Sequence, residues 1–157
     1  MVGGERAAFD KAQPLFTAMG RQATYMGASG GGATIKLTNN MLSGTMTAAI
    51  SEAAMIVEAA GVDLPAALEV LGEGAAASRL LKTRLPKMFK RDFAPQFQLE
   101  LMEKDLRYFQ MLAQELDRPT PVAALVRTVY QAARRAGLGK LDSGSLYLQI
   151  AGEKPKS

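Results

Sequence analysis

The fold class predicted by the sequence is all-α: a multi-helix domain built around one long central helix and preceded by a short remnant of an α/β domain. Three observations lead there. Residues 30–60 run without proline and with only three charges, Lys36, Glu52 and Glu58, which as one continuous helix makes a rod of ~45 Å. Every later segment repeats its apolar residues at a helical period, and none shows the two-residue alternation of a half-buried strand. Residues 1–28 alone mix short strand-like stretches with one helix, too little to make a sheet that stands by itself.

Taken in order, MVGG at the start reads as the end of a strand running into a turn. Residues 5–19 carry Ala8, Phe9, Ala12, Leu15, Phe16 and Met19 at helical spacing, Gly20 stops that helix, and residues 22–26 are a short strand candidate. The glycines at 27, 30, 31 and 32 lie between this strand and the central helix. They match neither GxGxxG nor GxxxxGK(S/T), so a hinge fits them better than a phosphate loop.

In the central helix Ile35, Leu42, Met46, Ala49, Ala53, Ile56 and Ala60 recur every three or four positions, and Leu37, Met41 and Ala48 add a second strip. A helix so poor in charge is expected to be covered on most of its faces. Thr38, Asn39, Asn40, Ser43, Thr45 and Thr47 argue against a membrane span.

Beyond it, Asp63 is expected to cap a short helix through Leu71 with Pro65 in its first turn. Ser78 caps the next, which Pro86 breaks or kinks near Arg84. Pro95 precedes a longer helix bearing Leu99, Met102, Leu106, Phe109, Ala113 and Leu116. Thr120 and Pro121 open a helix whose stripe is Val122, Leu125, Val126, Val129, Tyr130 and Ala133, ending at Gly137. Asp142 or Ser143 starts a last short helix with Leu146 and Ile150, and the tail GEKPKS is expected to fray.

Composition narrows the chemistry. With no cysteine and no histidine, thiol nucleophiles, zinc–thiolate sites, imidazole bases and His-ligated metals are excluded, leaving Lys, Tyr, Asp and Glu for proton transfer. The net charge of +4 raises the question of nucleic acid. The basic run at 82–91, however, is interleaved with Leu85, Met88 and Phe89 like the solvated side of an amphipathic helix, and no nucleic-acid motif accompanies it. No nucleic-acid or membrane partner is expected. MVGGERAAFD has no apolar leader core, which predicts a cytoplasmic protein.

Lys36 and Asn40, four residues apart, project from one face of the central helix. A lysine near the start of a charge-poor helix either snorkels to solvent or finds partners that offset its burial, and the positive end of the helix dipole disfavours its protonated form. Spacing alone leaves both readings open.

The stretch GASGGGATIKLTNN at 27–40 closely resembles the glycine-rich hinge and catalytic helix of the β-hydroxyacid dehydrogenases, with the pattern G-x-G-x-x-x-K-x-x-N-N. A second block, FQLELMEKDL at 97–106, resembles that family's F-x-L-x-L-x-x-K-D-L, and RPTP at 118–121 and GLGKLD at 137–142 match weaker features. The resemblance covers nearly the whole chain. LDSGSLYL at 141–148 departs from it, since the family more often has an aromatic or alanine after the Asp.

This resemblance implies the helical domain of a two-domain, NAD- or NADP-dependent oxidoreductase acting on a small hydroxy acid or semialdehyde. Residues 1–28 would be the C-terminal remnant of the Rossmann cofactor domain, whose dinucleotide fingerprint lies upstream of Met1, and residues 29–157 the substrate and dimerisation domain. Lys36 matches the catalytic lysine, Asn40 a substrate-holding asparagine, and Lys104 a lysine that approaches the cofactor. Phe97 and Asp105 match positions at the substrate pocket. For Phe97 the alternative is plain core packing; for Asp105 it is a local ion pair with Lys104 or Arg107. A homodimer or tetramer is expected, and a chain without the dinucleotide fingerprint is expected to be inactive alone. The competing expectation is a non-catalytic helical dimerisation module of the same fold.

Overall fold

A computed structural model describes residues 1–155. They form α1 (Arg6–Met19), α2 (Gly31–Ala59), α3 (Leu64–Glu73), α4 (Arg79–Lys90), α5 (Leu99–Glu115), α6 (Pro121–Arg135) and α7 (Leu146–Ala151), with two 3₁₀ turns between α6 and α7. The chain divides into two compact units, and the division falls inside α2, at Asn40 and Met41.

In the first unit the two strand-like stretches are paired, but only at one point. Val2 and Tyr25 form an isolated parallel bridge, with Val2 N–H donating to Thr24 O at 2.9 Å and Met26 N–H to Val2 O at 2.8 Å. The strand expected over 22–26 is therefore a single bridge. Phe9 of α1 packs with its ring tilted against Tyr25, centroids 5.2 Å apart, and is the buried anchor of that helix.

The caps read from sequence are partly realised. Asp63 accepts from Ala66 N–H at 2.9 Å and Ser78 from Leu81 N–H at 3.0 Å, each satisfying a donor the helix start leaves open. The Thr120 side chain makes no such bond. Of the break or kink expected near Arg84, the break does not occur: α4 runs through Pro86 to Lys90 and ends at Arg91 in the left-handed region, φ 54°. Leu81, Leu85 and Met88 are all buried on one stripe of α4, and that burial outweighs the hydrogen bond that Pro86 cannot donate.

In the second unit α5 packs on α6, α6 on α7 and α3 on α4. Leu85, Met88, Leu99, Leu106, Tyr130, Leu138, Leu146, Tyr147 and Leu148 are almost wholly buried, each contributing ~1.5–3 kcal/mol of transfer free energy. The stripe expected on α6 is divided: Val126, Tyr130 and Ala133 are buried together with Ala123, whereas Val122 and Leu125 face solvent.

The helix α2 keeps part of the expected burial, with Ala48 buried and Leu37, Met41 and Met46 half-buried, but the rest of the first strip is turned outward. Leu42 is 54% and Ile56 61% exposed, and Ile35, Ala49, Ala53 and Ala60 are exposed too, while Gly44, Thr47, Ala48, Ile50, Ser51 and Ala54 are buried. The reason is close approach. A Cβ on Gly44 would lie 3.2 Å from Met102 Sδ and 3.5 Å from both Leu106 Cδ atoms, so only a small residue admits α5 at that distance. The buried hydroxyls cost little, because Thr47 donates to Ser43 O and Ser51 to Thr47 O, both at 2.8 Å, inside the helix itself.

The tail is held as far as Glu153, whose carboxylate pairs with Arg91 at 2.6 Å, so the expected fraying does not apply there. Lys156 and Ser157 lie outside the described residues. Among the described residues no helix is long and apolar enough to cross a membrane.

Candidate active site

The glycine-rich segment sets the start of α2. A Cβ on Gly31 would sit 2.1 Å from Met26 O, which backbone contact excludes, and one on Gly32 3.0 Å from Met1 O, where the backbone would have to give way by a few tenths of an ångström. Gly27 and Gly30 adopt φ 84° and 92°, where an L side chain is strained. Close packing thus accounts for two of the four glycines, a reason the hinge reading does not contain.

Lys36 and Asn40 follow on α2 within the first unit, one turn apart and both half-buried. Asn40 Oδ1 is within 3.5 Å of Asn39 Nδ2. Helical geometry places the ammonium and the amide on one face, where they can address one small polar ligand, the first as proton carrier and the second as a hydrogen-bonding orienter.

The second block lies in the second unit. Lys104 and Asp105 are neighbours on α5, the Lys104 ammonium 3.5 Å from Asp105 Oδ1. Asp105 is 1% exposed while Lys104 is half-buried and lies over the Tyr108 ring, 5.9 Å from its centroid. The local ion pair considered for Asp105 is therefore present, with Lys104. Phe97, half-buried, stands just before α5 and packs against the edge of the core.

How Phe97 is held is a finding that sequence reasoning missed. Asp142 Oδ2 accepts the N–H groups of Gln96 (3.1 Å) and Phe97 (3.0 Å), Oδ1 accepts Gly144 N–H (2.9 Å), and Ser143 N–H donates to Phe97 O at 2.8 Å. Arg84 pairs with Asp142 Oδ1 and donates to Ser143 Oγ at 2.8 Å. Burial pushes the Arg84 guanidinium down from its ordinary value, which is high enough that the group stays charged. The available signal was the turn LDSGS: its Asp reads as a local cap, which it is, but its partners some 45 and 58 residues upstream are set by the fold.

A second, partly exposed ionic group ties α2 to the C-terminal end. Arg91 pairs with Glu58 and Glu153, both at 2.6 Å, lies over the Tyr147 ring 4.5 Å from its centroid, and Tyr147 donates a short hydrogen bond to Glu58. The hydrogen bonds that Arg91 donates to Glu153 and Glu58 raise its guanidinium, and burial raises the Tyr147 phenol. Among the described residues no cluster of His, Cys, Asp and Glu could hold a metal ion.

With this geometry in hand, comparison with known proteins is decisive for kinship. The family profile described as the NAD-binding domain of NADP-dependent 3-hydroxyisobutyrate dehydrogenase matches residues 30–149. The chain belongs to the 3-hydroxyisobutyrate dehydrogenase family. It is 34% identical over 142 residues to glyoxylate/succinic semialdehyde reductase 1 of Arabidopsis thaliana, covering 90% of this chain and 49% of that protein. It is 34% identical over 149 residues to the cytokine-like nuclear factor N-PAC of Aedes aegypti, covering 95% of this chain and 27% of that one. Among solved structures, 3-hydroxyisobutyrate dehydrogenase of Mycobacterium tuberculosis, described with L-serine, superposes with a TM-score of 0.87 at 25% identity over 96% of this chain and 54% of that one. The chain thus spans half or less of the length of these curated relatives.

Proposed function

We propose that this family member is the helical substrate-side domain of an NAD- or NADP-dependent β-hydroxyacid dehydrogenase or semialdehyde reductase, with residues 1–28 as the end of the preceding Rossmann domain and residues 29–157 as the substrate and dimerisation domain. The observation that carries this reading is the pairing of Lys36 and Asn40, one turn apart and half-buried on α2, inside the matched region. Lys36 gives a proton to, or takes one from, the substrate oxygen, and Asn40 hydrogen-bonds the substrate and holds that oxygen in line. Phe97 and Asp105 shape the substrate pocket. Lys104, a half-exposed ammonium backed by a buried carboxylate, suits an anionic dinucleotide. When bound, the nicotinamide supplies or accepts the hydride; its phosphates belong mainly to the preceding domain.

The test is NAD(P)H-linked reduction of a panel of short semialdehydes, and oxidation of the matching hydroxy acids, by the protein with its cofactor domain and by this chain alone. The first is expected to turn over and the second not. Turnover by this chain alone, or none by the two-domain protein with either cofactor, refutes the reading.

A second reading, association without catalysis, is favoured by the exposed face of α2 and by a relative named as a nuclear factor. Leu42, Ala49, Ala53 and Ile56 are exposed on α2 and fall seven, four and three residues apart, the spacing of helices that pair along a seam. The two readings share a homodimer or tetramer, and light scattering tests it: Leu42→Glu with Ile56→Glu should give a monomer, and an unchanged assembly contradicts this interface. They part on activity, since the module predicts no turnover even with the cofactor domain attached.

A further inference from the structure

Glu103 is a buried carboxylate in α5 for which the proposed chemistry has no use. Its partner is Arg127 of α6, whose Nε–H donates to Glu103 Oε1 at 3.2 Å while Nη1–H donates to Gln110 Oε1 at 2.8 Å. A carboxylate taken out of water is costly unless it is paired, and here the pair fixes an arginine plane. Two of the five guanidinium donors are used, which leaves three to project from a rigid base.

Arg127 stands in the wall of a depression of about 450 Å³ between α5 and α6. Glu100, Glu103, Lys104 and Arg107 line it from α5, and Arg127 and Arg134 from α6. The α5 positions fall three, four and seven residues apart, and Arg127, Gln131 and Arg134 on α6 do the same, so they are the two facing edges of one groove. Its charges do not cancel: Glu103 is taken up by Arg127 and Glu100 by Lys140 at 2.6 Å. Among the described residues, neither Arg107 nor Arg134 has a carboxylate at ion-pair distance. A second depression of about 550 Å³ shares Arg107 and Arg127 and adds Arg118 together with Asp117, so the two shared arginines face both depressions.

We propose that this groove is a binding site for a phosphate-type oxyanion, a phosphate or diphosphate group, with Arg127 as its pre-oriented fork and Arg107 and Arg134 closing on the ligand. A guanidinium held in plane before binding loses little side-chain freedom on forming two parallel bonds to phosphate oxygens. Lys104, which also lines the groove, is already paired with Asp105 at 3.5 Å. The proposal stands on Arg127, Glu103 and the uncompensated arginines, and holds whether or not Lys36 is catalytic.

The test is calorimetric titration of this chain with inorganic pyrophosphate at low ionic strength, where screening is weakest. Saturable one-to-one binding is expected. Arg127→Lys keeps the charge but loses the planar fork and should weaken binding by about tenfold or more. Arg79→Gln, which removes an exposed charge on α4, should leave it unchanged. If Arg127→Lys melts early, Arg107→Gln with Arg134→Gln serves in its place, with the same loss expected. Displacement of pyrophosphate by NADPH identifies the cofactor diphosphate as the natural source, and indifference to NADPH identifies a separate phosphorylated compound. No saturable binding, equal binding by Arg127→Lys, an equal loss in Arg79→Gln, or binding to duplex DNA without binding to pyrophosphate overturns the proposal.

Discussion

Replacing Asp142 by alanine removes three things at once: the counter-ion of buried Arg84, the acceptor of the Gln96 and Phe97 N–H groups, and the cap on Gly144. Breaking a buried ion pair by deleting one partner costs ~3–5 kcal/mol, because the surviving charge is left unmatched. Each N–H left without an acceptor can add ~1–3 kcal/mol where water does not reach it. A loss of ~4 kcal/mol or more is therefore expected, against a total of ~5–15 kcal/mol for a domain of ordinary stability. In urea denaturation followed by circular dichroism, at a slope of ~2 kcal/mol/M, the midpoint should fall by about 2 M. Asp142→Asn keeps an acceptor oxygen and should lose less. Arg84→Met combined with Asp142→Asn removes the stranded cation, and should recover part of what Asp142→Ala loses. A loss under ~1 kcal/mol for Asp142→Ala would refute the claim that this carboxylate holds the segment bearing Phe97.

Two further outcomes follow from the same packing and charges. Gly44→Leu should cost ~1–3 kcal/mol by thermal denaturation, since its side chain would enter the space of Met102 and Leu106, and a neutral result would contradict the close approach of α2 and α5. Burial raises the Tyr130 and Tyr147 phenols above their ordinary value, so the folded state keeps these protons where the unfolded chain has lost them. That contribution is fully present below about pH 10 and is lost as pH rises through the folded-state values. Urea midpoints should hold steady up to about pH 9 and fall above 10, with a shallower fall in Tyr130→Phe; a flat profile contradicts the shifts.

Much of the helix pattern was legible because local rules wrote it. The periodicity of residues 99–116 and the caps at Asp63 and Ser78 depend on neighbours within one turn. The helix end expected near Arg84 was misplaced because the cost of Pro86 is local while the burial of Leu81, Leu85 and Met88 that overrides it is tertiary. The helix α2 misled for a related reason: apolar periodicity marks a face that avoids water without saying which element covers it. Apart from Ile50, the buried face here is made of glycine, alanine, serine and threonine, most of which hydropathy does not flag. For the candidate site, Lys36 with Asn40 and Lys104 with Asp105 were visible as short motifs, whereas the dependence of Phe97 on Asp142 and Arg84 joins residues far apart in sequence and needs the fold.

The central claim is that Lys36 moves the substrate proton. It is tested most directly by kcat and cofactor affinity of Lys36→Ala in the protein carrying its cofactor domain. A positioned proton carrier is worth ~10²–10⁴ in rate, so kcat should fall by that factor while the Kd for NADPH hardly changes. Lys36→Arg should restore little, because a guanidinium holds its proton near neutral pH. A folded Lys36→Ala protein with near-native kcat would contradict the account.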